Sequence, residues 1–203
     1  TVTINCNGDM GNMLLLADAT TVSPVIQCGN LTGAGSDAQY FYTLILPKVK
    51  NSAKVGTGWT GFSNSIGVSF GNLYSCRVTI PYVYGFGVGV RAGGYTAGFV
   101  YNEITLGFFY NNKIGLDLYI QGAAGWCNQN NWYNGLFNCD TAEGTNVTGV
   151  YDIRHSAGLS AYPPNQNVFY NPSTEDNTAQ FNLNIWGSFN TFINPRFEVT
   201  GGG

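Results

Sequence analysis

Apolar and polar positions alternate with a period of two through much of this chain, and this pattern predicts β-strands. Near the carboxyl end, Phe181, Leu183 and Ile185 alternate with Asn182 and Asn184, as in a strand with one buried face. No stretch of a dozen residues keeps a helical apolar spacing without Gly, Asn or β-branched residues intervening, so helices are not expected. The clearest predicted strands are 40–46, 66–70, 76–90, 99–110, 116–120 and part of 181–199.

Clusters of Gly, Asn and Pro separate these strands and predict chain reversals. They lie at 33–37, 51–54, 92–94, 111–113 and 163–167. Many short strands joined by such turns predict an all-β fold, an elongated immunoglobulin-like or jelly-roll β-sandwich. No internal repeat period is evident. With 203 residues, the chain is expected to form one domain at 1–200, and the glycines at 201–203 are expected to begin a flexible linker.

The composition points to a neutral polar ligand. Only 9% of the residues are charged, with 8 basic against 11 acidic side chains and a pI near 4.9. This charge balance excludes a polyanion-binding surface, so nucleic acid is not an expected partner. The sequence has no long apolar run, so membrane insertion is not expected either. The surface is instead expected to consist largely of the 28 glycines, 24 asparagines and 13 tyrosines.

The cysteines predict an exported protein. They are Cys6, Cys28, Cys76, Cys127 and Cys139. They contain no CxxC pair and the chain has one histidine, so no metal and no cofactor are predicted. The expected disulfides are Cys127–Cys139 and Cys6–Cys28, which leave Cys76 as a buried thiol, although spacing alone permits other pairings. The start TVTINCNG is typical of a mature secreted product from which a signal peptide has been removed.

The segment 125–140 is the main candidate for ligand binding, because it combines two tryptophans and five asparagines around two cysteines. A stapled loop of this kind could stack on a sugar and hydrogen-bond its hydroxyls, or could equally be a structural Ω-loop. The candidate ligand-binding residues are Trp126, Asn128, Asn131, Trp132, Tyr133, Asn138 and Asp140, with Arg91, Tyr95 and Arg154 as a second group. His155, beside Arg154, is interpreted as a surface or loop residue.

Two other classes of function stay open at this stage. A small secreted glycoside hydrolase would need a pair of carboxylates, and the four glutamates show no pair on consecutive aromatic-flanked strands, so a non-enzymatic protein is favoured. Glu103 would be the residue to test for hydrolysis. The other alternative is a structural β-sandwich subunit of a pilus shaft, capsid or coat, which self-association would reveal.

The layout also resembles a known family. An early cysteine in an amino-terminal strand at 1–6, a second cysteine at Cys28 and an apolar strand at 192–199 running into glycines resemble the receptor-binding lectin domains of two-domain tip adhesins from chaperone-usher pili of Gram-negative bacteria. The resemblance implies a monomeric domain with a receptor pocket at one tip, joined to a pilin domain and displayed on the bacterial surface. The implied receptor is a host glycan, or a host glycoprotein of the fibrinogen or matrix type. The mannose-binding residues of that family have no counterpart here, so another receptor is expected.

Overall fold

The structure is a computed structural model that describes residues 14–20, 23–29, 39–139, 147–156, 158, 161–175 and 179–198. In these ranges the chain forms twenty strands, β1 to β20, and no helix. Accordingly, the described residues include no helix of the length and apolarity needed to span a membrane. The predicted linker at 201–203 lies outside the described residues.

The strands form three sheets. Sheet A contains β1 (Leu14–Ala17), β4 (Thr43–Ile45), β5 (Lys48–Asn51), β8 (Arg77–Tyr84), β11 (Glu103–Tyr110), β14 (Asn131–Asn138), β16 (Val168–Tyr170), β17 (Ser173–Glu175), β19 (Thr191–Ile193) and β20 (Arg196–Phe197). Sheet B contains β2 (Pro24–Cys28), β6 (Ile66–Phe70), β9 (Val88–Ala92), β12 (Ile114–Tyr119), β15 (Val147–Ser156) and β18 (Ala179–Asn184). Sheet C contains β3 (Gln39–Tyr40), β7 (Leu73–Tyr74), β10 (Gly98–Val100) and β13 (Trp126–Asn128).

The chain visits the three sheets in turn and so forms a parallel β-solenoid. Strands β8, β9 and β10 lie in sheets A, B and C, and β11, β12 and β13 repeat the same circuit at the next level of the solenoid. Each such circuit of the chain is one rung. Each strand pairs in parallel with the strand one circuit later, as β8 does with β11 and β11 with β14. Parallel neighbours need a long crossover, and here the rest of the circuit supplies it.

The predicted β-sandwich is therefore wrong, although the predicted all-strand content is confirmed. Alternation reports that one face of a strand is buried, and it is the same whether the neighbouring strand runs parallel or antiparallel. The predicted strand 76–90 divides into β8 and β9 at a corner where Gly85 has φ +80°, a conformation that suits glycine. The predicted strand 99–110 likewise divides into β10 and β11, and much of the predicted loop 125–140 is β13 and β14.

The core lies between the three sheets. Its largest fully buried side chains are Trp132, Phe70, Phe86, Phe99, Phe109, Phe137 and Phe169. Trp132 contacts Phe99 and Phe169, with ring centroids 5.9 Å apart in both pairs. His155 also points inward, since only 1% of it is exposed and its ring lies 5.4 Å from that of Phe169. The interpretation of His155 as a surface residue is therefore wrong.

A column of asparagines lines the interior corner between sheets C and A. Its members are the fully buried Asn102, Asn130 and Asn167 and the half-buried Asn190, one on each successive rung. Asn130 Oδ1 accepts from the backbone N–H of Asn102 at 3.1 Å, and Asn167 Oδ1 accepts from that of Asn130 at 3.2 Å. The Asn130 amide also donates to the Phe99 carbonyl at 2.9 Å. The column satisfies backbone groups that turn away from the sheets at this corner, as buried polar groups require.

Candidate ligand slot at a corner of the solenoid

The segment 125–140 does not form a single binding surface. Trp132 is fully buried in the core, where a ligand cannot stack on it. Its neighbours Asn131 and Tyr133 point outward from β14 and are half-buried, and Tyr133 stacks on Tyr170 at 5.0 Å. Asn138 is half-buried at the other end of the same strand. The predicted ligand residues of β14 are therefore divided between the interior and the outside of sheet A.

The remaining predicted residues of this segment lie on other parts of the surface. Trp126 and Asn128 are half-buried in β13 of sheet C, and Asn128 Oδ1 accepts from the backbone N–H of Asn165 at 3.3 Å. Tyr95 is half-buried in the turn that precedes sheet C, where its backbone N–H donates to Asn72 Oδ1 at 2.9 Å. Asp140 lies outside the described residues.

The predicted disulfide between Cys127 and Cys139 is not formed. Cys127 lies in sheet C and Cys139 follows β14, an eight-residue strand that spans roughly 25 Å at about 3.3 Å per residue. A disulfide requires Cα atoms within about 7 Å. Cys28 is free, and its predicted partner Cys6 lies outside the described residues. Burial, with a smaller contribution from Cys76, raises the pKa of Cys28 to about 11.

We expect the Cys127 thiol to be present without any reductant. Burial raises its pKa, so it should react slowly with iodoacetamide in the folded protein and rapidly after unfolding, because the thiolate is the nucleophile. Peptide mapping after alkylation in denaturant should find the same label on Cys127 with and without dithiothreitol. A cross-linked peptide that joins Cys127 to Cys139 would contradict the structure.

The structure brings two of the predicted residues, Arg91 and Arg154, together on one carboxylate. They lie side by side on the outer face of sheet B, on β9 and β15, with Asp117 of β12 between them. Asp117 is fully buried, and it accepts from Arg154 Nε and Nη2 at 2.9 and 2.8 Å and from Arg91 Nη2 at 3.3 Å. Tyr95 does not line the cleft that contains these two arginines, so the second predicted group also divides.

A different cluster forms a slot at the outer corner between sheets C and A. Within the described ranges, residues with a left-handed backbone recur at this corner from rung to rung, and three of them are Phe41, Ser75 and Tyr101, with φ of 59°, 51° and 58°. Their positions correspond because the residue before each one pairs in register, Tyr40 with Tyr74 and Tyr74 with Val100. Ser75 thus lies between two aromatic residues.

The aromatic side chains at this corner are exposed, and Phe189 on a later rung is exposed as well, at 81%. Phe41 is 80% exposed and Tyr101 is 57% exposed. A bulky residue with positive φ is strained by roughly 1 kcal/mol or more, and an exposed ring regains little of this through packing. Gln129 and Gln166 occupy the same position on later rungs, so polar side chains are compatible with the corner. The strained backbone and the exposed rings of Phe41 and Tyr101 do not stabilise the fold, which favours a binding role for these residues.

The cavity between the rings has polar walls. Its volume is about 380 Å³, and Tyr42, Arg77 and Glu103 contribute to its lining together with the two rings and Ser75. Arg77 Nε donates to Glu103 Oε2 at 2.9 Å, and both side chains are largely exposed, at 73% and 47%. The slot therefore offers apolar ring surfaces beside hydrogen-bond donors and acceptors. No group of three His, Cys, Asp or Glu side chains in the described part of the chain is placed to hold a metal ion.

Sequence reasoning missed this slot because its residues are far apart in the chain. The corner residues of neighbouring rungs are separated by 34 and 26 residues, as the bonded pairs Tyr42–Cys76 and Cys76–Asn102 show. The available signal was a recurring polar or aromatic residue directly before Cys76, Asn102 and Asn130, and it is recognisable once the rungs are aligned.

Comparison with known protein families, curated proteins and solved structures finds no match to this chain. The structure therefore defines the class by architecture alone, a parallel β-solenoid with an aromatic-lined slot on its outer corner.

Proposed function

We propose that this protein is a non-enzymatic carbohydrate-binding module that holds a neutral sugar ring in the slot between Phe41 and Tyr101. The observation that carries the proposal is the pair of aromatic residues on either side of Ser75. Both have exposed rings and a left-handed backbone. An aromatic face is the usual partner of the apolar face of a pyranose, and a small number of polar groups then fix its orientation.

The dimensions of the slot support one ring-shaped ligand. Adjacent rungs of a parallel sheet are about 4.8 Å apart, so Phe41 and Tyr101 are separated by roughly 10 Å along the solenoid. A ring placed between two others lies about 3.5–4 Å from each, which requires about 7–8 Å. Because Ser75 is small, the space between the aromatic side chains is left open.

The polar lining favours binding over hydrolysis. Glu103 is the one carboxylate among the described residues that line the slot, and its side chain is held by Arg77. Glycoside hydrolysis ordinarily uses two carboxylates. Arg77 and Glu103 instead supply the charge-assisted hydrogen bonds with which binding sites hold hydroxyl groups.

Attachment to a surface is consistent with a slot of this size. Single sugar sites are usually weak, and many copies supply avidity. The host glycan or glycoprotein receptor, the pilin partner and the bacterial cell-surface location stay predictions, since no relative of this chain was found. The fold that the resemblance to pilus tip adhesins implied is not the one observed.

The variant Tyr101→Asn is expected to weaken glycan binding while keeping or raising stability. Loss of one wall of the slot should reduce affinity about tenfold or more. Asparagine tolerates a left-handed backbone better than tyrosine, so the free energy of unfolding should stay equal or rise by about 0.5–1 kcal/mol. The measurements are binding to a broad glycan array, titration calorimetry with the best glycan, and urea unfolding.

The matched control is Tyr162→Asn, which changes another largely exposed tyrosine outside the slot. It should leave binding unchanged. Equal loss of binding in the two variants would place the glycan elsewhere on the surface. A glycan array without any signal for the parent protein would overturn the proposed function itself.

A further inference from the structure

Three of the eight basic side chains of this chain line one cleft on the outer face of sheet B. They are Arg91, Lys113 and Arg154, and the cleft has a volume of about 510 Å³. Ser63 and Asn64 add uncharged polar groups to its lining, which contains no carboxylate among the described residues. This concentration of positive charge contrasts with the net charge of −3 for the whole chain.

Asp117 holds the two guanidinium groups in fixed positions. It binds Arg154 through two parallel hydrogen bonds of 2.9 and 2.8 Å and Arg91 through one of 3.3 Å. Arg91 also lies over the ring of Tyr119, 4.6 Å from its centroid. About a fifth to a quarter of each arginine side chain stays exposed. The two groups are thus oriented before any ligand arrives, which lowers the entropic cost of binding.

The charges of the cluster do not cancel. The single negative charge of Asp117 faces two guanidinium groups, which leaves one net positive charge. Lys113 adds a second, because the ion pairs of the described residues do not include it. Arginine and lysine side chains at the wall of a cleft are typical of sites that bind carboxylate or phosphate groups.

We propose that this cleft binds the oxyanion group of a small ligand, a carboxylate, sulfate or phosphate. The guanidinium edges of Arg91 and Arg154 and the ammonium group of Lys113 bind the anion. Val88 and Ile114 in the lining provide apolar surface for the carbon skeleton of the ligand. The site is on sheet B, is separate from the slot that holds the sugar ring, and does not depend on the proposed function of that slot.

The test is titration of the purified chain with inorganic phosphate, D-glucuronate and D-glucose at low ionic strength. Phosphate or glucuronate should bind saturably, more weakly as salt is added, and glucose should not bind in this cleft. Preference for phosphate over glucuronate, or the reverse, identifies which oxyanion the cleft takes. Absence of saturable binding by both anions would overturn the proposal.

Two variants separate this cleft from general attraction of anions. Lys113→Gln should weaken anion binding about tenfold, whereas Lys48→Gln, which removes an exposed lysine on sheet A, should leave it unchanged. Asp117→Asn should strengthen binding, because it removes the competing negative charge, provided that circular dichroism shows a folded protein. Equal effects of the two lysine variants would contradict the proposal. Neither lysine lines the slot between Phe41 and Tyr101, so binding of a neutral glycan in that slot should be unaffected in both variants.

Discussion

Replacing Asn130 with alanine is expected to lower the free energy of unfolding by about 3–5 kcal/mol. The side chain is fully buried and bonds to the rungs on both sides of its own, since it accepts from the Asn102 N–H, donates to the Phe99 carbonyl and donates to Asn167 Oδ1. Each buried polar group left without a partner costs about 1–3 kcal/mol. Alanine would leave several such groups along the corner at once. Urea unfolding followed by circular dichroism measures the loss.

Asn131→Ala is the matched control for this prediction. Asn131 is the next residue along the chain, but its side chain points outward and is half-buried, so the change should be within about 0.5 kcal/mol. A loss below about 1 kcal/mol for Asn130→Ala, or equal losses for the two variants, would show that the column of asparagines does not hold the corner together.

The difference between these two neighbours shows what the sequence does not reveal about an asparagine. The sequence offers Asn128 and Asn131 as candidate ligand groups and gives no sign of the structural role of Asn130. Asparagine serves equally well on a surface or in a buried hydrogen-bonded column. Which of the two applies depends on the direction of the side chain at a corner, and a corner is recognisable only when the rungs are known.

The strand content could be predicted from the sequence, but the solenoid could not. The predicted strand 66–70 agrees with β6, and 116–120 overlaps most of β12. The sequence does not reveal the repeat because successive positions at this corner, Cys76 and then the four asparagines of the column, are separated by 26, 28, 37 and 23 residues. A solenoid tolerates rungs of unequal length because loops extend outward from its corners, and this irregularity hides the period.

The slot and the basic cleft were accessible to sequence reasoning to different degrees. The sequence offers Arg91 and Arg154 as candidate ligand residues but does not indicate that they are neighbours, because Asp117, which binds both, is a buried residue on the strand between them. Phe41 and Tyr101 were not selected at all, because an aromatic residue in a strand pattern is ordinarily a core residue. Only the register between rungs shows that both rings are exposed.

Acid is expected to destabilise this protein through His155. Burial lowers the pKa of His155 to about 3, and neither ring nitrogen has a hydrogen-bond partner among the described residues. An unfolded histidine has a pKa of about 6.5. Between these two values the unfolded state binds a proton that the folded state does not, so the free energy of unfolding rises with pH, by up to about 1.4 kcal/mol per unit. Above about pH 6.5 and below about pH 3 this contribution is constant.

The variant His155→Leu tests this directly. Leu118 occupies the same inward position on the adjacent strand of sheet B, which shows that a leucine fits at this level of the core. The stability difference between variant and parent should grow as the pH falls, and at pH 4 the variant should be more stable by about 3 kcal/mol. At pH 7.5 the variant should be at least as stable as the parent, because two buried nitrogens without partners are removed. Taking the difference cancels the titration of carboxylates that both proteins share. A difference that does not change between pH 7 and pH 4 would show that His155 accepts a proton without leaving the core.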